Sequence, residues 1–366
     1  MPSILAERLA DRVDAVIGVD THTDTHTAVV VTPVGTVLAE LTVAATADGA
    51  ATLLAWAGEQ THRLGSSRRA WALDGARAHG VGLLRVLRAA GEETLEAPKP
   101  ATARRRRGGK SDALDAVHAA RAVLAADHLA TPRTDGTREA LRILHVCRRH
   151  YSDTRTATVN LFKSLILTAD DNLREQFRGR STARQIQHAA TLTTNTTDTG
   201  TGTGTTDTGT AGEQVRRTQL HTLAEQIHTL DRMLKANLAE IRTLVRTMCP
   251  ALLDQPGIGP VTAAIALTAW SHPGRLRNEA AFAALAGVNP VPANSGRTVR
   301  HRLNRGGDRT LNAALHTIAK ARQRCHQPTK DYITRRTAEG RTLPEITRNL
   351  KRYIARQLWR ILQATP

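Results

Sequence analysis

Over the first hundred residues, apolar positions come in short runs bounded by turn residues; further along they settle into a helical period. Ala15 to Val19 is an apolar run ending at Asp20, and Thr27 to Thr32 is a second β-rich run closed by the turn Pro33-Val34-Gly35. Thr36 to Val43 supplies a third strand. Leu53, Leu54 and Trp56 recur at helical spacing within Asp48 to Arg63, after which Arg69-Ala70-Trp71-Ala72-Leu73 reads as a strand delivering Asp74 at its end. Val81 to Ala90 is helical again, and Glu93 to Ala97 is a weak strand.

Three strands joined by tight turns, then helix, strand, helix, strand and helix, is the order of a ribonuclease-H-like α/β domain. Such a domain draws carboxylates from its first strand, its fourth strand and a late helix, which here means Asp20, Asp74 and the pair Asp112 and Asp115. The pair lies in Gly108-Gly109-Lys110-Ser111-Asp112-Ala113-Leu114-Asp115, where a spacing of three puts both carboxylates on one helical face. Two like charges on one face repel, so a cation or a partner is expected. Any one of these aspartates alone is ordinarily a turn or cap residue. Together they supply the oxygen ligands for two Mg²⁺ ions about 3.5–4 Å apart, as phosphodiester cleavage requires. His22, Asp24 and His26 follow Asp20 in alternation with threonines, a pattern read as the polar face of an exposed strand and not as a metal cluster.

Long helical patterns occupy about 137–170 and 213–247, with Leu220, Leu223, Ile227, Leu230 and Leu234 in phase, and predict an antiparallel helical arm or coiled-coil pair. Between them, Thr191 to Gly212 is almost wholly Thr, Gly and Asp; it has no apolar surface to offset the entropy of ordering and reads as a disordered tip. The expected division is therefore α/β for residues 1–130, a helical arm over 131–247, and a mostly helical domain over 248–366.

Charge narrows the class of partner. The 366 residues carry 51 Lys and Arg against 33 Asp and Glu, a formal charge of +18, which favours a polyanion such as nucleic acid over a small acidic molecule. Aromatic residues make up only 3%, so phosphate contacts are expected to dominate over base stacking. Arg104, Arg105, Arg106, Arg107 and Lys110, just before the paired aspartates, are either a solvated loop or a phosphate grip. Cys147, Cys249 and Cys325 are too scattered for a zinc site or a disulfide framework, and no apolar run reaches the length of a membrane span. The chain is read as a soluble cytoplasmic protein.

Near the other end, Gln255-Pro256-Gly257-Ile258-Gly259-Pro260 before an apolar helix resembles a helix-hairpin-helix, with Gly257 and Gly259 letting backbone N–H groups approach a phosphate. An ordinary turn between packed helices is the alternative. Ser295 stands in Asn289-Pro290-Val291-Pro292-Ala293-Asn294-Ser295-Gly296, with Arg297, Arg300, Arg302, Arg305 and Arg309 around it. A serine before glycine in such a loop is ordinarily a turn residue. As a nucleophile it would need a base, a metal or positive charge, and this loop offers arginines but no evident base.

Taken together, "IGVD", "GKSDALDA", "QPGIGP", "NPVPANSGRT" and "HRLNRGGDRTLNAALH" resemble the DEDD-type insertion-sequence transposases, a family of bridge-RNA-guided, serine-dependent DNA recombinases. The resemblance implies a RuvC-like domain with its acidic quartet at Asp20, Asp74, Asp112 and Asp115, a catalytic serine at Ser295 and assistance from Mg²⁺. It also implies double-stranded DNA and a structured guide RNA as partners, a dimeric or tetrameric assembly, and a place at the bacterial nucleoid. The family pattern usually has Glu where this chain has Asp74, one methylene shorter. A junction-resolving nuclease using only the carboxylates, and a non-catalytic nucleic-acid-binding protein, are the competing readings.

Overall fold

The computed structural model describes residues 8–98, 111–133, 135–192, 211–293 and 301–364. They fall into two compact units, Met1–Thr134 with Trp270–Phe282, and Asp135–Ala269 with Ala283–Pro366.

The first unit begins with α1 (Leu9–Arg12), β1 (Ala15–Thr21), β2 (Thr25–Val31) and β3 (Val37–Ala44). It continues through α2 (Ala47–Arg63), β4 (Arg69–Leu73), α3 (Val81–Ala89), β5 (Glu93–Glu96) and α4 (Asp112–Leu124). The five strands form one mixed sheet in the order β3-β2-β1-β4-β5, with β1–β2 and β2–β3 antiparallel and β1–β4 and β4–β5 parallel. This mixed α/β architecture is compatible with a ribonuclease-H-like fold.

Helices cover both faces of the sheet, which is why β1 reads as a continuous apolar run. Along β1, Ala15, Ile17 and Val19 pack with Trp71, Leu73, Leu53 of α2 and Leu84 of α3. The alternate residue Val16 joins Ala70, Ala72 and Leu95 against Ala116, Ala120 and Val123 of α4. Trp71 is fully buried, and its indole N–H donates to Glu92 (2.8 Å), which also pairs with Arg69.

The second unit holds α5 (Thr137–Leu167), α6 (Asp171–Phe177), α7 (Thr182–Ala189) and α8 (Ala211–Met248), followed by a single 3₁₀ turn at Pro250–Leu252. Next come α9 (Pro260–Trp270), α10 (Glu279–Leu285), a small hairpin of β6 (Pro290–Pro292) and β7 (His301–Leu303), α11 (Arg309–Cys325), α12 (Gln327–Ala338) and α13 (Leu343–Gln363). The long helices α5 and α8 pack together: Arg155 pairs with Asp231, Arg148 donates to the Leu234 carbonyl (2.9 Å), and Asn237 donates to that of Leu144 (3.0 Å). Leu220, Leu223 and Ile227 form the apolar stripe of α8 and meet Phe162, Leu173, Phe177 and Ile186. The short helices α6 and α7 lack sufficient sequence period to stand out, and they form by closing over this stripe. Most of the Thr/Gly-rich segment anticipated as disordered, 193–210, lies outside the described residues.

Candidate functional site

The position of Asp20 follows from strand parity and one glycine. Asp20 lies two residues beyond Gly18 and four beyond Val16, so it shares their face of β1, the face covered by α4. Gly18 has no side chain to hold α4 away: a β-carbon there would overlap the Ala116 carbonyl oxygen and stand 2.9 Å from the Ala120 β-carbon. Helix α4 starts at Asp112, where the Ser111 hydroxyl caps it by accepting from the Leu114 N–H (3.3 Å). A tightly laid helix thus presents its first turn to the end of β1.

There Asp20, His22 and Asp112 come together, with one ligand atom from each lying within 4.8 Å of the others. His22 Nε2 is 3.1 Å from Asp20 Oδ2 and 3.4 Å from Asp112 Oδ1. Asp20 is only 7% exposed. Burial pushes its carboxyl above the usual range; Asp115 and Asp112 push the same way, and His22 opposes them. Asp115, one helical step further along α4, has His118 3.9 Å away. A buried carboxylate beside a second, with an imidazole nitrogen between, is a donor set that fits a divalent cation.

The expectation for His22 and His26 needs correcting. His22 stands in the turn between β1 and β2, its N–H donating to the Thr25 carbonyl (2.9 Å), and its ring belongs to the carboxylate cluster. His26 is buried in β2 at 3% exposure and lies on no exposed strand face. The signal available was the position of His22, two residues past a strand-end aspartate on a chain that must turn back.

Asp74 follows β4, and its N–H donates to the Val19 carbonyl (3.0 Å), so it leaves the strand adjacent to β1. Its own carbonyl accepts from the Thr21 hydroxyl (2.7 Å). The carboxylate stands outside the Asp20–His22–Asp112 trio, lining a cleft of about 470 Å³ together with Arg77, Glu96, His128 and Arg275.

Ser295, Arg297 and Arg300 lie outside the described residues, as do Arg104, Arg105, Arg106, Arg107 and Lys110. The frame around Ser295 is described. Pro292 of β6 pairs with His301 of β7, so the serine belongs to the connection of a two-stranded hairpin. Gly307 packs so closely on Gly287 that a β-carbon at 307 would overlap the Gly287 backbone, and Gly287 itself has φ +63°. Asn304 donates to the Ala284 carbonyl (3.1 Å) and to Asn289 (2.7 Å), and Asn312 donates to that of Ala286 (2.7 Å). Asp308 caps α11 through the N–H groups of Thr310 and Leu311. Asn304 and Asn312 therefore anchor the base of the hairpin and Asp308 starts α11, structural roles sequence reasoning missed, while Arg302, Arg305 and Arg309 are exposed.

Gly257, at φ +75°, packs against Arg322 and Ala321 of α11, and the Gly259 N–H donates to the Thr262 hydroxyl (3.1 Å). Before this turn stands the 3₁₀ turn at Pro250–Leu252. Among the described residues no helix is long and apolar enough to cross a membrane.

Two family models match the chain. One, for transposases of the DEDD type found in IS110 elements, matches residues 17–169; the other, described as the transposase IS116/IS110/IS902 family, matches residues 249–334. The first takes in β1 through α4 and the second the β6–β7 hairpin. The chain is also 29% identical over 156 residues to an uncharacterized 44.8 kDa protein of insertion element IS116 from Streptomyces clavuligerus, covering 42% of this chain and 39% of the relative. It is 28% identical over 124 residues to an uncharacterized 43.6 kDa protein of insertion element IS110 from Streptomyces coelicolor, covering 33% and 31%. The chain thus spans well under half the length of these curated relatives.

Proposed function

Since this chain belongs to the IS110 family of DEDD-type insertion-sequence transposases, we propose that it cuts and rejoins double-stranded DNA at the ends of a mobile element. The observation that carries this reading is the meeting of Asp20, His22 and Asp112 where the end of the central strand β1 and the start of α4 converge, inside the stretch matching the DEDD model.

In this reading Asp20, Asp112, Asp115 and Asp74 would hold Mg²⁺, with the His22 ring beside Asp20 and Asp112 and Asp74 reaching in from outside that trio. The metal's chemistry would be to lower the cost of negative charge gathering on the phosphate in flight. The α4 carboxylates, fixed by the Ser111 cap, set where the backbone phosphate lies. The Ser295 hydroxyl forms a bond from Oγ to phosphorus as the bond from phosphorus to a deoxyribose oxygen breaks; the proton leaves Oγ, and the freed sugar oxygen takes one up. Arg302, Arg305 and Arg309 carry positive charge to that phosphate, joined by Arg297 and Arg300. Strand exchange reverses the step with a new sugar hydroxyl, which conserves the phosphodiester without an external energy source. A structured guide RNA chooses the sites, and a homo-oligomer brings acidic site and serine together; the charge of +18 supports polyanionic partners. Arg104, Arg105, Arg106, Arg107 and Lys110, with the turn at Gly257 and Gly259, grip the nucleic acid.

The test is adduct formation on DNA carrying the element ends, supplied with copurified RNA and Mg²⁺. Wild type is expected to give a protein–DNA adduct that survives denaturation, and Ser295→Ala none. Hydrolytic nicks without adduct would favour a nuclease that uses the carboxylates alone.

A further inference from the structure

We infer that the second unit carries a pocket for a single unpaired pyrimidine base, set between α11, α12 and α13, in which Arg322 meets the carbonyl edge of the base and Tyr332 and Tyr353 supply its aromatic wall. The pocket is a cavity of about 190 Å³ whose lining includes Arg322, Thr329, Tyr332, Leu350, Tyr353 and Ile354.

Its composition is out of keeping with the rest of the chain. Only 3% of residues are aromatic and only three are tyrosines, yet two of those tyrosines face this one cavity. Their rings lie 5.8 Å apart, edge to face at 90°, and the Arg335 guanidinium sits 5.6 Å from the centre of the Tyr332 ring. Tyr353 is 51% exposed, so a flat partner can reach it. A purely structural tyrosine pair would hide its rings in the helix packing.

Arg322 makes the stronger argument. It is 8% exposed; its Nε donates to the Pro256 carbonyl (2.8 Å), while its Nη2 is buried with no acceptor. None of the described residues lining the cavity is acidic. A guanidinium buried away from any counter-charge is costly, and this burial lowers its pKa from the ordinary arginine value. Arginine carries donors alone, so whatever relieves that cost must bring an acceptor.

Size and wall chemistry decide the class. An apolar protein cavity of roughly 150 Å³ accommodates benzene, so one of about 190 Å³ takes a six-membered ring bearing exocyclic oxygens. Leu350, Ile354 and the tyrosines suit the faces of such a ring, and they offer nothing to a bare phosphate. Uracil, thymine and cytosine each present a ring carbonyl to a guanidinium; adenine is larger and has none. This inference rests on the reading that the chain works on nucleic acid; an RNA loop and an opened DNA strand present the same base chemistry.

The experiment uses the full-length protein and short oligo(U), oligo(dT) and oligo(A), read by fluorescence anisotropy, with photocrosslinking to iodouridine mapped by mass spectrometry. Wild type is expected to crosslink at Tyr332 or Tyr353 and to prefer the pyrimidine oligomers. Tyr353→Ala and Arg322→Lys are each expected to weaken oligo(U) or oligo(dT) binding roughly tenfold, the scale of one lost base–aromatic stack, and to leave oligo(A) unchanged. Comparing oligo(U) with oligo(dT) separates an RNA source from a DNA one. Equal losses for oligo(A), or crosslinks only elsewhere, would overturn the pocket and leave the nucleic-acid reading standing; no binding to any oligomer would overturn both. Because Arg322→Lys also alters the bond to Pro256, the half-exposed Tyr353→Ala, checked by thermal melting, decides the outcome if the lysine variant fails to fold.

Discussion

Gly18 of β1 lies against the backbone of Ala116 on α4, so closely that a β-carbon at position 18 would overlap the Ala116 carbonyl oxygen. The obstruction is backbone, which cannot swing aside as a side chain can. Gly18→Ala therefore moves α4 off the sheet and carries Asp112 away from Asp20 and His22. We expect a loss of about 1–3 kcal/mol in stability, as for other overpacked cores, together with weaker Mn²⁺ binding by calorimetry. Full stability with unchanged metal affinity would show that the helix does not depend on this contact.

Asp20 gives a prediction of opposite sign. Burial above all raises its carboxyl above the ordinary aspartate value of 3.8, so the folded protein holds the proton more tightly than the unfolded chain does. Stability is then lost as pH rises from 3.8 through the folded value, and at neutral pH the whole cost is present. Asp20→Asn should stabilise the metal-free protein at pH 7, raising its unfolding midpoint, while removing metal affinity. The gain should shrink below pH 4 and should be reversed by saturating Mg²⁺, which stabilises only the wild type. A midpoint lower than wild type without metal would count against a strained carboxylate.

How far this site could be read from the sequence depended on whether each residue works through a local or a long-range contact. The strand ends at Asp20 and Asp74 are legible because an apolar run followed by Asp is a local pattern, and the start of α4 is legible because Ser111 and the paired aspartates follow capping rules. β4 emerges as Arg69–Leu73, the span read from its residues alone. His22 was illegible because its role depends on Asp112, ninety residues away, and on the turn that points its ring back at the end of β1. The same holds for Asn304, Asp308 and Asn312: a polar run full of arginines reads as a binding surface, whereas Asn304 and Asn312 fasten the hairpin base and Asp308 caps α11. Sequence period found α5 and α8 but not α6 and α7, whose apolar residues become a face only once α8 is beside them.

His145 on α5 tests the electrostatics of the second unit. Burial, then Arg149 and Arg148, lower its pKa from 6.5, with Asp308 opposing. The folded state thus favours the neutral ring: its contribution is intact above pH 6.5 and is lost as pH falls through the lower folded value. His145→Gln, which cannot protonate, should flatten the fall in urea midpoint between neutral and mildly acidic pH. An unchanged slope would mean that this histidine titrates as it does in the unfolded chain.

Gly307 separates the two halves of the proposed chemistry. Its α-carbon rests on Gly287, and a methyl group at 307 would meet backbone atoms of Gly287 as well as the Leu285 carbonyl oxygen at 2.9 Å. Gly307→Ala must therefore push apart the two segments that lead into β6 and out of β7, displacing the connection that holds Ser295 without touching Asp20, His22 or Asp112. If serine and carboxylates act on one phosphate, adduct formation should fall by at least tenfold, because a nucleophile displaced by about 1 Å loses on the order of a hundredfold in rate. Metal binding should stay at the wild-type level, since the trio lies in the other unit. An adduct yield equal to wild type, with the variant folded by circular dichroism, would mean that the hairpin base does not set the position of the serine.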